Sequence, residues 1–317
     1  MQVIDPNRDV PGYVSGLIPG LSDRLGLGLR EITALKSLLM VTYRNESAFQ
    51  SVIDGEKELR TYMPSTEESK ALVGFLSDRL MRSWEIEGMS HLLGALDFYR
   101  SGGNVVIMSN HTGVIDAPVA DYILRRALSE EYPMTWVAGK RVWESVFLRM
   151  FSRCVDLLTM FGEKYVQVAA GTPEFDRMRA RNVAMLRWMR SHRSVWFAYP
   201  QGTWCNTGRL TPGKANVMDI LGTLGGRNYE NTMVLPAFLD GPEKIVPPSE
   251  KQKKGEDDFG DFLELLTPGE VSYRFGPPLS GRELAFSQEE GIRAVMYGIA
   301  DLAPTEEARG PYAQALR

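Results

Sequence analysis

From Trp84 onward the chain alternates between short apolar runs and longer amphipathic stretches, and this rhythm constrains its fold more than any other feature. The runs are Val105–Met108, Thr135–Ala138, Ser194–Tyr199, Met233–Phe238 and Val271–Phe275, each bounded by Gly, Pro or polar residues. Helical periodicity fills Ser90–Arg100, Pro118–Glu130, Glu174–His192 and Ala215–Leu224 between them. Near-continuous apolar runs read as strands covered on both faces, so the pattern predicts an α/β fold: a mixed sheet flanked by helices. Ahead of it, Ser22 to about Ser83 looks helical throughout, with Leu72, Leu76 and Leu80 recurring every fourth residue behind a Ser65/Glu68 capping box. The expected division is a small N-terminal helical domain over 1–83 and an α/β domain over 84–317. A last helix, Ser287–Ala303, opens on a second box, Ser287/Glu290, while Pro242–Asp261, rich in Pro, Lys and acids, reads as an exposed loop.

With 317 residues, 44% of them hydrophobic, the chain can bury a large core. Thirty-six Lys and Arg against 40 Asp and Glu give a net charge of -4, which excludes a bulk polyanion partner such as nucleic acid and requires any basic site to be local. Two cysteines, Cys154 and Cys205, build neither a disulfide framework nor a multi-cysteine metal site, and such low usage suits a reducing cytosol. The first residues carry Asp5 and Asp9 with no apolar segment behind them, unlike a secretory signal. No run approaches the roughly 18 apolar residues of a membrane span. The expectation is a cytoplasmic protein, soluble or resting on a membrane surface, with no metal and no cofactor.

Several chemistries are missing by pattern: there is no GxSxG elbow, no HExxH, no EF-hand loop and no Cys/His cluster. Gly208–Lys214 spells GxxxxGK, but Ala215 stands where a P-loop needs Ser or Thr, and Pro212 removes a backbone donor. Gly26 and Gly28 begin a GxG with no third glycine. What remains is NVVIMSNHTGVIDAPVADYIL, a buried-strand run, a polar turn and a helix start, with His111 and Asp116 in the turn. The HxxxxD spacing alone is weak, but a strand end entering a helix is where α/β proteins place reactive side chains, and Gly113 lets such a turn fold. An imidazole can take a proton from an attacking hydroxyl or amine while a carboxylate on its other nitrogen fixes the tautomer. Equally, Asp116 can be a helix cap and His111 a satisfied turn residue.

A second strand, loop and helix sequence, SVWFAYPQGTWCNTG, repeats that layout. SNHTGVID resembles the first block of the glycerolipid acyltransferases and YPQGTW their third, usually EGTR or, in the soluble plastid-type glycerol-3-phosphate acyltransferases, PSGGRDR. VAGKRV followed by MFGEKYV resembles the plastid type's second block and VLPAFLDGPEKIVPP its fourth, in order and at similar spacing. The resemblance implies transfer of a fatty acyl group from an acyl thioester, on acyl carrier protein or coenzyme A, to the hydroxyl of a small acceptor. It also implies that His111 is the general base, that Asp116 orients it, and that no acyl-enzyme forms. Backbone amides around Gly202 and Thr203 are candidates to hold the oxyanion.

The departures concern the acceptor. Of the plastid type's phosphate ligands Lys164 remains, but Tyr165 replaces the His, and Trp204 and Asn206 replace the two Arg. Each lost charge-assisted bond is worth roughly 1.5 to 3 kcal/mol. Arg209, Lys214, Lys140 and Arg141 could replace the lost charge, or Trp204 could wall a site for an acceptor without phosphate, such as an amino alcohol, a sugar or a natural-product hydroxyl. Gln201, at the place of the Glu in EGTR, also removes a charge. A third reading is a binding module for acyl chains or carrier protein that has lost catalysis, and in a hydrolase water would replace the acceptor. The arginines at 177, 179, 181, 187, 190 and 193 form either a solvated helix face, with Met185, Trp188 and Met189 inward, or a docking face for an acidic carrier protein or anionic headgroups.

Overall fold

The sequence NVVIMS folds as a strand whose two faces are both apolar, and the protein is layered around it. In this strand Val105 and Ile107 enter one hydrophobic cluster and Val106 and Met108 the other. The structure, a computed structural model, describes residues 10–55, 62–139, 142, 146–160, 172–202, 205, 208–226, 229–247 and 265–313. In chain order the elements are α1 (Val10–Leu25), α2 (Leu29–Gly55), β1 (Tyr62–Met63), α3 (Glu67–Leu80), β2 (Met81–Glu87) and α4 (Met89–Arg100). Next come β3 (Asn104–Ser109), α5 (Asp116–Ala127), β4 (Met134–Gly139), α6 (Val146–Ser152), β5 (Asp156–Met160), α7 (Pro173–Ser191) and β6 (Val195–Ala198). A 3-10 turn at Ala215–Met218 leads to α8 (Asp219–Gly225), β7 (Thr232–Asp240), α9 (Pro242–Ile245), β8 (Gly269–Phe275) and β9 (Leu279–Ser280). The chain closes with α10 (Gly281–Leu284), α11 (Gln288–Asp301), α12 (Glu306–Arg309) and a 3-10 turn at Gly310–Tyr312.

The described strands form one mixed sheet in the order β1-β5-β4-β6-β3-β7-β8-β2, with β9 on β7. The five central strands, β5, β4, β6, β3 and β7, run parallel, so their carboxyl ends share one edge. Apolar residues of α1 to α6 cover one face and those of α7, α8 and α11 the other. On α11 the buried Ile292, Val295, Met296 and Ile299 follow the helical repeat, and the Ser287 side chain caps the Glu290 amide. Among the described residues no helix is long and apolar enough to cross a membrane.

Several expectations change. The N-terminal region is helical, but not throughout, because β1 pairs with β5 and β2 with β8 at the two edges of the sheet. The expected boundary at 83 therefore falls inside β2. MRSWEIE is mostly exposed, and the charged residues of this edge strand hide it from an apolar-run reading. The cap of α3 is Thr66, which accepts from the Ser69 amide, while the Ser65 amide is taken by Asp156. The stretch from Pro242 begins as α9 with Pro242, Ile245 and Val246 buried; 248–261 lies outside the described residues.

The long helix α2 is fastened by charge. Glu46, fully buried, receives the Arg149 Nε at 3.2 Å and an Arg153 guanidinium nitrogen at 2.8 Å, and Arg153 also reaches the Pro64 carbonyl. Truncating one member of a buried pair strands the other away from water. Glu46→Gln is therefore expected to lower unfolding free energy by about 3 to 5 kcal/mol, read by urea denaturation of the full chain. An unchanged midpoint would remove this triad from the account of stability.

Candidate active site

Where β3 ends, backbone pairing passes to a side chain. Asn110, buried, donates from Nδ2 to the Leu239 carbonyl at 2.8 Å and accepts from the Leu239 amide at 2.7 Å, continuing the β3–β7 ladder one step beyond Ser109. The next residue, His111, is thereby held at the shared carboxyl edge of the parallel strands. Its backbone amide donates to Gln201 Oε1 at 2.8 Å and its carbonyl accepts from the Cys205 amide at 2.8 Å.

Asp116, the first residue of α5, organises the turn. Its Oδ2 accepts from the Thr112 amide at 2.7 Å and the Gly113 amide at 3.1 Å and lies 2.8 Å from His111 Nδ1, while Oδ1 accepts from Thr112 Oγ1 at 3.1 Å. The carboxylate side chain is 1% exposed and the imidazole 18%. Turn-capping and His-orienting roles thus coexist on one carboxylate. A carboxylate facing Nδ1 holds the hydrogen there and leaves the basic lone pair on Nε2. Gly113 contributes its amide rather than special freedom: an added Cβ would make only an ordinary 3.8 Å contact with Asp116 Oδ1.

The ring of Tyr199, just past β6, stacks on His111 with centroids 4.1 Å apart and planes 11° apart. Burial, with the nearby Asp116 charge, pushes the ionisation of its phenol well above the usual range, against a smaller opposing effect of the Trp136 side chain. Tyr273 is likewise pushed up by burial. Glu243 is pushed up by burial, with Asp240 and Asp116 adding to the effect, and its Cγ would sit 3.7 Å from a Cβ on Gly208.

Gln201, 2% exposed, spans two loops: besides the His111 amide it reaches Thr211 Oγ1 at 2.9 Å. It is a brace, where the sequence suggested only a lost charge. Gly202, expected as an oxyanion donor, instead gives its amide to the Tyr199 carbonyl at 2.9 Å, closing a turn. Its φ of +70° favours glycine, and the Lys214 side chain passes close by, its Cδ 2.9 Å from where a Cβ would stand. Lys214 therefore lies over this loop. Arg209 pairs with the exposed Glu307 on the C-terminal segment. That segment also binds the Leu210 amide through Ala308 and the Gly213 amide through the Tyr312 hydroxyl, so 208–214 is a strapped connection and not a phosphate loop. Lys140, Arg141, Lys164, Tyr165, Thr203, Trp204 and Asn206 lie outside the described residues.

On α7, Met185 and Met189 are buried, and Trp188 is sandwiched between Tyr62 and His192 at 4.3 and 3.9 Å. Arg179, Arg187 and Arg190 are exposed and have no ion partner among the described residues. Arg193 turns away to Tyr99, with its guanidinium 4.6 Å from the ring centre.

Residues 93–239 match the family model described as Acyltransferase. The matched stretch is a little under half of the chain. It holds every residue of the His111 turn together with Tyr199, Gln201, Thr211 and Leu239. A solved structure titled 1-acyl-sn-glycerophosphate (LPA) acyltransferase, PlsC, from Thermotoga maritima aligns over 79% of this chain and 81% of that chain, at 16% identity and a TM-score of 0.45. No curated protein matches the sequence.

Within the matched stretch, the sequence reading missed Asn110, Tyr199 and Thr211. Tyr199 had a signal, since 195, 197 and 199 share one side of the pleat and the first two enter the same cluster as Trp136. Gln201→Ala leaves the His111 amide without its acceptor, at a cost of about 1 to 3 kcal/mol. Amide exchange at His111 is expected to speed by about tenfold or more, measured by NMR, and an unchanged rate would show that Gln201 does not hold the turn.

Proposed function

We propose that the domain transfers a fatty acyl group from an acyl thioester, on coenzyme A or acyl carrier protein, to the hydroxyl of a small glycerolipid-type acceptor, with His111 as general base. The observation that carries this is the 2.8 Å contact between His111 Nδ1 and a buried Asp116 at the edge where five parallel strands end. Nε2 takes the acceptor's hydroxyl proton as its oxygen attacks the thioester carbonyl. The tetrahedral intermediate collapses, the C–S bond breaks, and the imidazolium returns the proton to the departing thiolate. Asp116 keeps the hydrogen on Nδ1 and balances the transient positive charge.

The acyl chain needs an apolar space, and one lies beside the turn. A small, partly open apolar pocket is lined by Ile115, the residue before Asp116, together with Leu76, Leu80, Val119, Phe151 and Leu266. Its wall draws on α3, so the N-terminal region contributes to the same space. A larger side chain there shortens the room available: Val119→Phe is expected to shift preference towards shorter acyl thioesters in a competition assay, and an unaltered chain-length profile would place the acyl chain elsewhere.

A second reading, an acceptor without phosphate, is favoured by Arg209 being held by Glu307 and by the Glu243 carboxyl against Gly208. Lys214 over the loop supports the phosphate reading. A mass-spectrometric product assay separates them, with palmitoyl-CoA and palmitoyl carrier protein as donors and glycerol-3-phosphate, glycerol, ethanolamine and sugars as acceptors. His111→Ala is expected to lose about 100- to 10,000-fold in turnover. Acylation unaffected by that change would remove His111 as base. No product from any donor would favour the binding-module reading. A preference for the carrier protein that Arg187→Glu abolishes would assign α7 to docking.

A further inference from the structure

We infer that Tyr199 is a positioning residue for His111, an aromatic platform that sets the plane of the imidazole. This inference rests on the proposed role of His111 as base. The hydrogen bond between Nδ1 and Asp116 fixes one ring atom, and such a bond on its own permits tilt about it. The parallel face of Tyr199, 4.1 Å away and inclined by 11°, removes that freedom. The platform is itself anchored to the loop and to the core. Its backbone carbonyl accepts from the Gly202 amide at 2.9 Å, its phenol faces the Trp136 side chain, and Trp136 is stacked on Phe197 with centroids 4.0 Å apart. Trp136 and Phe197 are 1% and 3% exposed, so the base of this stack belongs to the core.

The arrangement follows from the pleat. Val195 and Phe197 point to the helical layer that also receives Trp136, and the residue two further on continues to the same side just as β6 ends. In the neighbouring strand Met108 pairs with Ala198, so the His111 turn and Tyr199 leave the sheet side by side. The phenol stays protonated at physiological pH because burial and the Asp116 charge oppose its ionisation. It therefore offers a neutral π face, and when His111 takes a proton the cation forms against that face.

The test uses the full chain and reads His111 directly by two-bond proton–nitrogen NMR of the imidazole, which needs no substrate. Wild type and Tyr199→Phe are expected to give the same pattern of a single tautomer with the hydrogen on Nδ1, since both keep the ring. Tyr199→Leu is expected to give a mixed-tautomer pattern. In the product assay kcat should fall about 10- to 100-fold with KM changed less than threefold, the signature of a misoriented base at one to two powers of ten in rate. Tyr199→Met, which fills similar volume without a π face, serves where the leucine variant fails to fold by circular dichroism. A Leu or Met variant that retains the single-tautomer pattern would overturn the inference, whatever its activity. If wild type transfers no acyl group but the tautomer responds as expected, Tyr199 still positions the ring and the proposed reaction is what fails.

Discussion

The Asp116 carboxylate is the interaction on which the rest of the site depends. It is almost wholly buried, and four donors or ring atoms from His111, Thr112 and Gly113 converge on its two oxygens. A carboxylate removed from water must have such partners, because an unsatisfied buried charge costs several kcal/mol. The turn from 111 to 113 is therefore bent around Asp116 by the need to solvate it. His111 is one of those solvating groups, so its orientation and the integrity of the turn are a single energetic event. This explains why the α5 start and the imidazole cannot be assigned separately, one as structure and the other as chemistry.

The sheet was legible because its central strands are apolar on both faces. Val105–Met108, Thr135–Ala138, Ser194–Tyr199, Met233–Phe238 and Val271–Phe275 all coincide with strands to within a few residues. Those that escaped are the ones without that signature. β2 carries Arg82, Glu85 and Glu87 on an exposed edge, and β1 is only two residues long, paired at the opposite edge where little apolar surface is needed. β5, DLLTM, is short and begins with Asp156, whose carboxylate serves Tyr62 and the Ser65 amide. A polar residue committed to a distant partner breaks the local pattern, and the partner is invisible in sequence.

The site was legible in its reactive pair and illegible in its supports. His111 and Asp116 are five residues apart, so local spacing reports their contact. Gln201 and Thr211 bear on His111 from 90 residues away and across a loop, and Asn110 reaches Leu239 across 129 positions. None has a periodicity that would single it out. The glycines mislead in a parallel way: Gly113, read from sequence as letting the turn fold, has ordinary space around it, while Gly202 is favoured by its φ of +70°.

The C-terminal segment extends this logic beyond the stretch that the family model matches. Gly310 sits where a Cβ would lie 2.3 Å from the Leu210 carbonyl, which brings the chain close enough for Ala308 to bind the Leu210 amide. Two residues on, the Tyr312 hydroxyl takes the Gly213 amide while its ring meets Tyr297 of α11 edge-on at 5.4 Å. Between these anchors lies Thr211, the outer partner of Gln201, whose inner partner is the His111 amide. Order is thus passed from α11, through a segment of some ten residues that the family match does not cover, to the backbone of the candidate base. A connection this short in hydrogen bonds and this long in sequence gives the His111 turn a mechanical dependence on residues outside the matched stretch.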